Sequence, residues 1–210
     1  MKVLFLAVPA LLLGACVNND DLAEGGGITA VRSACPMVAV PNATGDITIF
    51  DPPASRDAAA IDVTAILTDL RSTCTDVGED IVTTVTFQVQ ARRANATAAR
   101  EVVLPYFIVV VRGGNAVTSK RIGRVALRFE AGQARANATA TASANVTRAA
   151  ATLPEEIRER LTKKRKAGDS DAAIDPLSAP DVRQAVLRST FEALVGFQLT
   201  DEQLRYNATR

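Results

Sequence analysis

From residue 35 to about residue 147, hydrophobic and polar positions alternate with a period of two. Thr83, Val85, Phe87, Val89 and Ala91 fall on one side and Thr84, Thr86, Gln88 and Gln90 on the other. This is the pattern of a strand with one face in a core and one in water. Val125, Leu127 and Phe129 against Arg124, Arg128 and Glu130 repeat it. Residues 60–70 and 102–111 are apolar at both parities and rich in β-branched side chains, as strands covered on both faces are. Pro105 cannot donate to a ladder and marks a local edge or bulge in the second of these. Gly113-Gly114-Asn115, between two apolar runs, is the clearest hairpin signal. Residues 47–50, closed by Asp51-Pro52-Pro53, supply a further short strand.

Residues 134–146 test the rule, because alanine favours helices. Every even position from 134 to 144 is Ala, and the odd ones are Arg, Asn, Thr, Thr, Ser and Asn. Strict alternation predicts a long strand with a small-residue face that lets a neighbouring element approach closely. About seven strands at short spacing predict a mainly β fold, an antiparallel immunoglobulin- or fibronectin-like β-sandwich over residues 34–150. Two to three helices follow in residues 151–210, making the class α+β.

In that segment the period becomes helical. Thr152-Leu153-Pro154-Glu155 has the form of a capping box, with Ile157 and Leu161 stacked at i, i+4. Ser178-Ala179-Pro180-Asp181 opens a second helix, predicted to run through Phe197 with a broad apolar stripe that includes Val182, Ala185, Val186, Phe191, Val195 and Phe197. Thr200-Asp201-Glu202-Gln203 begins a last short helix.

Residues 1–16 have a different layout: one charge at Lys2, an apolar run from Val3 to Leu13, then Gly14-Ala15-Cys16. The run is shorter than the roughly 20 apolar residues that span a bilayer, so it reads as a signal peptide. Leu13-Gly14-Ala15-Cys16 resembles the lipobox of bacterial lipoproteins. The resemblance implies cleavage after residue 15 and acylation of Cys16. Val17 stands where an Asp favours inner-membrane retention in that family, which implies the outer membrane, facing the periplasm. Two or three acyl chains, at about 0.8 kcal/mol per buried CH₂, give a stable anchor. Residues 16–33, with Gly25-Gly26-Gly27 and no apolar period, form the flexible tether. The whole order of tether, β-domain and C-terminal helices is similar to that of uncharacterised proteobacterial envelope lipoproteins.

With Cys16 assigned to lipid, Cys35 and Cys74 remain of the three cysteines. In an oxidising compartment the pair reads as a structural disulfide, with free thiols or a redox pair as the rival; their spacing is unlike C-x-x-C.

Composition removes many chemistries. The chain of 210 residues has no His, so it has no Ser-His-Asp triad, Cys-His dyad or His-ligated metal. No cofactor is implied and no metal site stands out; the acidic loop Asp169-Ser170-Asp171 with Asp175 lacks the glycine and terminal Glu of an EF-hand. The formal net charge of +1 and an aromatic content of 4% argue against a nucleic-acid partner.

The near-zero charge hides an asymmetry. Residues 16–80 carry three Arg against eleven Asp or Glu, and residues 81–150 carry ten Lys or Arg against two Glu. Neighbouring strands of opposite charge account for this simply. The sharper reading is a basic face of Arg92, Arg93, Arg112, Lys120, Arg121, Arg124 and Arg128 that meets an envelope protein, an anionic glycolipid or a cell-wall polymer. Lys163-Lys164-Arg165-Lys166 ends a helix that Glu155, Glu156 and Glu159 begin, which suits the helix dipole. Asp62, Asp69, Asp76, Glu79 and Asp80 are the carboxylates from which a hydrolytic pair would have to come. The expectation is therefore a membrane-tethered, non-enzymatic structural or protein-interaction module, with a periplasmic ligand-binding or carboxylate-dependent hydrolytic lipoprotein as the alternative.

Overall fold

The structure, a computed structural model, describes residues 33–163, 168–170 and 173–209. The signal peptide, Cys16 and most of the tether lie outside these residues, as do Lys164, Arg165 and Lys166 of the basic run. The fold is mainly β, two four-stranded sheets with a few helices towards the C-terminus.

The strands are β1 (Met37–Ala39), β2 (Asp46–Phe50), β3 (Ile61–Val77), β4 (Asp80–Arg93), β5 (Arg100–Arg112), β6 (Ala116–Phe129), β7 (Arg135–Thr147) and β8 (Phe191–Phe197). One sheet has the order β1-β8-β5-β6 and the other β2-β3-β4-β7. All pairings are antiparallel except β1 with β8. The alternation read from sequence decides which way each strand faces. Val85, Phe87 and Val89 from β4, Val102, Leu104 and Ile108 from β5, and Val125, Leu127 and Phe129 from β6 enter one shared core. The Ala-rich segment is a strand, and its even positions form that strand's inner face. The hairpin at Gly113-Gly114 is present, with both glycines at positive φ, which side chains oppose. Pro105 sits where the β8 ladder gives out: its carbonyl accepts from the Gln198 N–H, and its missing donor falls beyond Phe197.

The small side chains have a mechanical consequence. Tyr106 on β5 lies across Gly123 of β6, where an added Cβ would stand 2.3 Å from the ring. Its ring packs edge-on to Phe87 at 5.1 Å, and its hydroxyl donates to the Thr141 carbonyl of β7 at 3.0 Å. The alanine face of β7 admits this approach and brings the edges β6 and β7 together. Burial pushes the Tyr106 phenol above its ordinary range.

One element departs from the sequence reading. The helix predicted through Phe197 ends at Arg188, and residues 191–197 form β8. Seven largely apolar residues fit a buried strand or a buried helix turn equally well by periodicity. The open backbone edges of β1 and β5 settle the matter, because only a strand between them satisfies both. The remaining helices are α1 (Arg148–Ala151), α2 (Glu155–Thr162), α3 (Pro180–Arg188) and α4 (Asp201–Thr209). The capping box expected at Thr152 does not form: Pro154 occupies the cap, and the Thr152 hydroxyl donates to the Arg148 carbonyl instead. At Thr200 the reciprocal pair is made, with the Thr200 N–H on Gln203 Oε1 and the Gln203 N–H on Thr200 Oγ1. Ile157, Val182 and Ala185 give α2 and α3 a small core of their own, whereas α4 rests on β2 through Tyr206 and Phe50.

Cys35 and Cys74 form a disulfide with a Cα–Cα distance of 6.1 Å, tying the segment before β1 to β3 in the opposite sheet. Their separation of 39 residues closes a loop worth about 4 kcal/mol through the unfolded chain. The double substitution Cys35→Ala/Cys74→Ala is expected to lower unfolding free energy by about that amount in urea titrations.

Tyr106 gives a pH test. A raised folded pKa favours the protonated phenol, so its contribution is present below the unfolded value of about 10 and is lost as pH rises through the folded one. Unfolding midpoints at pH 9 and pH 11 should fall further for the wild type than for Tyr106→Phe.

Candidate functional site

The seven cations of the expected basic face do not share one surface. Lys120, Arg124 and Arg128 do: they lie on β6 opposite Val109, Pro105 and Glu101 of β5, on the side of that sheet away from the core. Arg121 points the other way and donates to Asn145 Oδ1 on β7 at 3.2 Å. Arg112 ends β5, stacks over the Phe191 ring at 5.7 Å and donates to the Arg188 carbonyl, pinning α3 to the sheet. Arg92 lies on the outer face of the other sheet.

Arg93 belongs to no surface, being only 2% exposed. Its guanidinium donates to the carbonyls of Gln133, Ala98, Ala96 and Glu130 at 2.6–3.1 Å and lies 5.0 Å from the Phe129 ring centroid. Four carbonyl dipoles and an aromatic face replace the water around this cation, and they clamp the β4–β5 loop to the β6–β7 loop. Its inclusion in a basic face is corrected for a simple reason. Period-two alternation from Thr83 to Ala91 continues inward to position 93.

The outer side of the β1-β8-β5-β6 sheet is mixed apolar and basic. Val103 and Phe107 of β5 lie on it near Leu194 of β8 and Ile122 of β6, while Val109 and Val111 on the same side are buried. Ile122 is 63% exposed and Val103 49%. Lys120 lays its stem across this side, with Nζ 5.2 Å from the Phe107 centroid. At the far margin Met37 on β1 is 71% exposed.

The outer side of the β2-β3-β4-β7 sheet is polar. Registered across it stand Thr48, Thr64, Arg92 and Arg135 in one row and Asp46, Ile66, Gln90 and Asn137 in the next. Together they line a hollow of about 550 Å³.

The carboxylates named as a hydrolytic set are dispersed. Asp62 is held by Arg100 through two hydrogen bonds of 2.7 and 2.8 Å at one end of β3, and that contact raises the Arg100 pKa. Asp76, Glu79 and Asp80 surround the hairpin at the other end, where Arg148 pairs with Asp76 at 2.9 Å. Asp69, at a bulge in β3, pairs with Arg71. Among the described residues no group of three acidic or thiol side chains could hold a metal ion. Asp171 of the acidic loop lies outside them, and Asp175 is used locally as an acceptor for the Leu177 N–H.

No protein-family model, no curated protein and no solved structure matches this chain.

Two residues missed by the sequence reading matter most: Arg93 as a buried clamp, and Arg135 as the neighbour of Arg92. The first was legible from parity. The second needed the register of β4 against β7, which places the two arginines directly opposite each other. Replacing Arg93 by Ala is expected to cost about 3 kcal/mol or more, because four carbonyls lose a charged donor and a cavity opens. Arg92→Ala should stay within about 0.5 kcal/mol in the same urea titrations, as exposed positions do.

Proposed function

We propose that this chain is an outer-membrane lipoprotein, anchored by acylated Cys16 and facing the periplasm, that serves as a non-enzymatic structural or protein-interaction module of the cell envelope. The single observation that carries the interaction role is the outer side of the β1-β8-β5-β6 sheet, where exposed Val103, Ile122 and Met37 and the half-buried Phe107 and Leu194 meet the cations of β6. Contiguous apolar surface rimmed by charge marks protein contact sites on soluble domains. The tether joins the body at β1, the edge strand of that same sheet. Anchoring rests on Leu13-Gly14-Ala15-Cys16 and on Val17 after it.

The hydrolytic alternative has less support. Asp62 and Asp69 stand away from the others along a 17-residue strand, and of Asp76, Glu79 and Asp80 at its far hairpin, Asp76 is already paired with Arg148. We carry the immunoglobulin- or fibronectin-like assignment as part of the same proposal. Two four-stranded sheets around one core favour it at the level of architecture, while the consecutive β2-β3-β4 order is this chain's own connectivity.

Two measurements test the proposal. Labelled palmitate should enter the wild type and not Cys16→Ser, and the labelled protein should sediment with outer membrane; label that persists in the variant removes the anchoring claim. A photo-crosslinking residue at Ile122 should give a discrete protein adduct in intact cells, and one at Gln88 on the polar sheet should not. Absence of the Ile122 adduct removes the interaction claim.

A further inference from the structure

The outer side of the β2-β3-β4-β7 sheet holds an arrangement that folding alone does not favour. Arg92 and Arg135 are cross-strand partners, so the two side chains leave the same face of the sheet from directly opposite positions. Like charges directly opposite each other are destabilising. Both side chains are exposed, and neither makes a hydrogen bond or ion pair with any described residue, whereas Arg56, Arg71, Arg100, Arg128, Arg148, Arg158 and Arg160 each find a carboxylate. Among the described residues the one carboxylate lining the same hollow, Asp46, is on β2, two strands and one row from Arg92, about 12 Å away at ordinary strand geometry.

From this geometry we propose that the hollow is a binding site for an oxyanion carried on a saccharide, with Arg92 and Arg135 as the paired forks. Two adjacent guanidiniums present parallel N–H donors to a phosphate or carboxylate, which removes their mutual repulsion on binding. The rest of the lining suits hydroxyl groups: the Thr64 hydroxyl beside Arg92, and the Gln90 and Asn137 amides one row further along the strands. Ile66, 50% exposed among them, offers an apolar floor to a sugar's C–H face. Beyond the hollow the exposed side continues as Gln88 and Thr139, then Thr86 and Thr141, whose hydroxyls lie 3.4 Å apart. A flat track of hydroxyls and amides matches an extended polyhydroxy chain. A protein partner needs apolar area, and that lies on the other sheet. The inference concerns the folded body alone and stands whether or not Cys16 carries lipid.

The test uses the full chain, purified in detergent and titrated calorimetrically at 50 mM salt with three probes: glucose 1-phosphate, oligogalacturonate and neutral maltohexaose. The wild type should bind at least one charged probe and not the neutral one; which of the two it prefers distinguishes a phosphorylated from a carboxylated source. Arg92→Gln and Arg135→Gln should each weaken binding about tenfold, the loss expected of one charge-assisted fork. Arg124→Gln/Arg128→Gln on the other sheet should leave it unchanged. A second readout separates a binding role from a structural one: without ligand, Arg135→Gln should melt at the wild-type temperature or above it, since repulsion is relieved. Failure of the wild type to bind either charged probe overturns the proposal, as does a double Arg92→Gln/Arg135→Gln variant that binds like wild type, or a ligand-free Arg135→Gln that melts lower. Equal affinity for hexaglutamate overturns the saccharide assignment.

Discussion

One interior has to accept a face from each of two sheets, and that constraint organises the rest of the molecule. Each strand can offer the core only every second side chain. Parity therefore sorts the residues of β4, β7 and the second half of β6, with the Phe87 and Phe129 rings inside and Thr86, Thr139 and Thr141 outside. Where the two sheets meet along β6 and β7, the interior narrows, and the sequence supplies alanines on β7 and Gly123 on β6. Tyr106 then bridges from one sheet to a backbone carbonyl of the other. A larger side chain at position 123 would meet its ring, so this edge depends on small residues as much as on apolar ones.

The same constraint turns adjacent arginines into different objects. Arg93 is drawn inside, where carbonyls at the loop ends and the face of Phe129 take the place of water. Arg92, one residue earlier, is left on the outer face opposite Arg135. A run of basic residues in a strand is thus split by the pleat between a structural and a surface role. A basic region read as a single surface overcounts what that surface can offer.

The two outer faces have diverged chemically. One is apolar with a cationic border along β6, suited to excluding water against a partner. The other is a ladder of hydroxyls, amides and one unpaired arginine couple. The helices α2 and α3 share a small core of their own, and Arg112 holds the end of α3 to β5.

By itself the sequence determined the elements with strong periodicity: the strands around residues 83–91 and 125–129, the Ala-rich strand against its helical propensity, the Gly113-Gly114 hairpin and the helix start at Thr200. It also held the parity that sends Arg93 inward, although clustering by sequence number concealed it. Tertiary structure alone decided that residues 191–197 are a strand, because an apolar run of seven carries no period of its own and two open sheet edges supplied the reason. Tertiary structure also decided which strands are neighbours. Local sequence fixes the side a residue faces, but only the register between β4 and β7 sets Arg135 against Arg92, since pairing across 43 positions is a property of the folded sheet and leaves no trace in either strand.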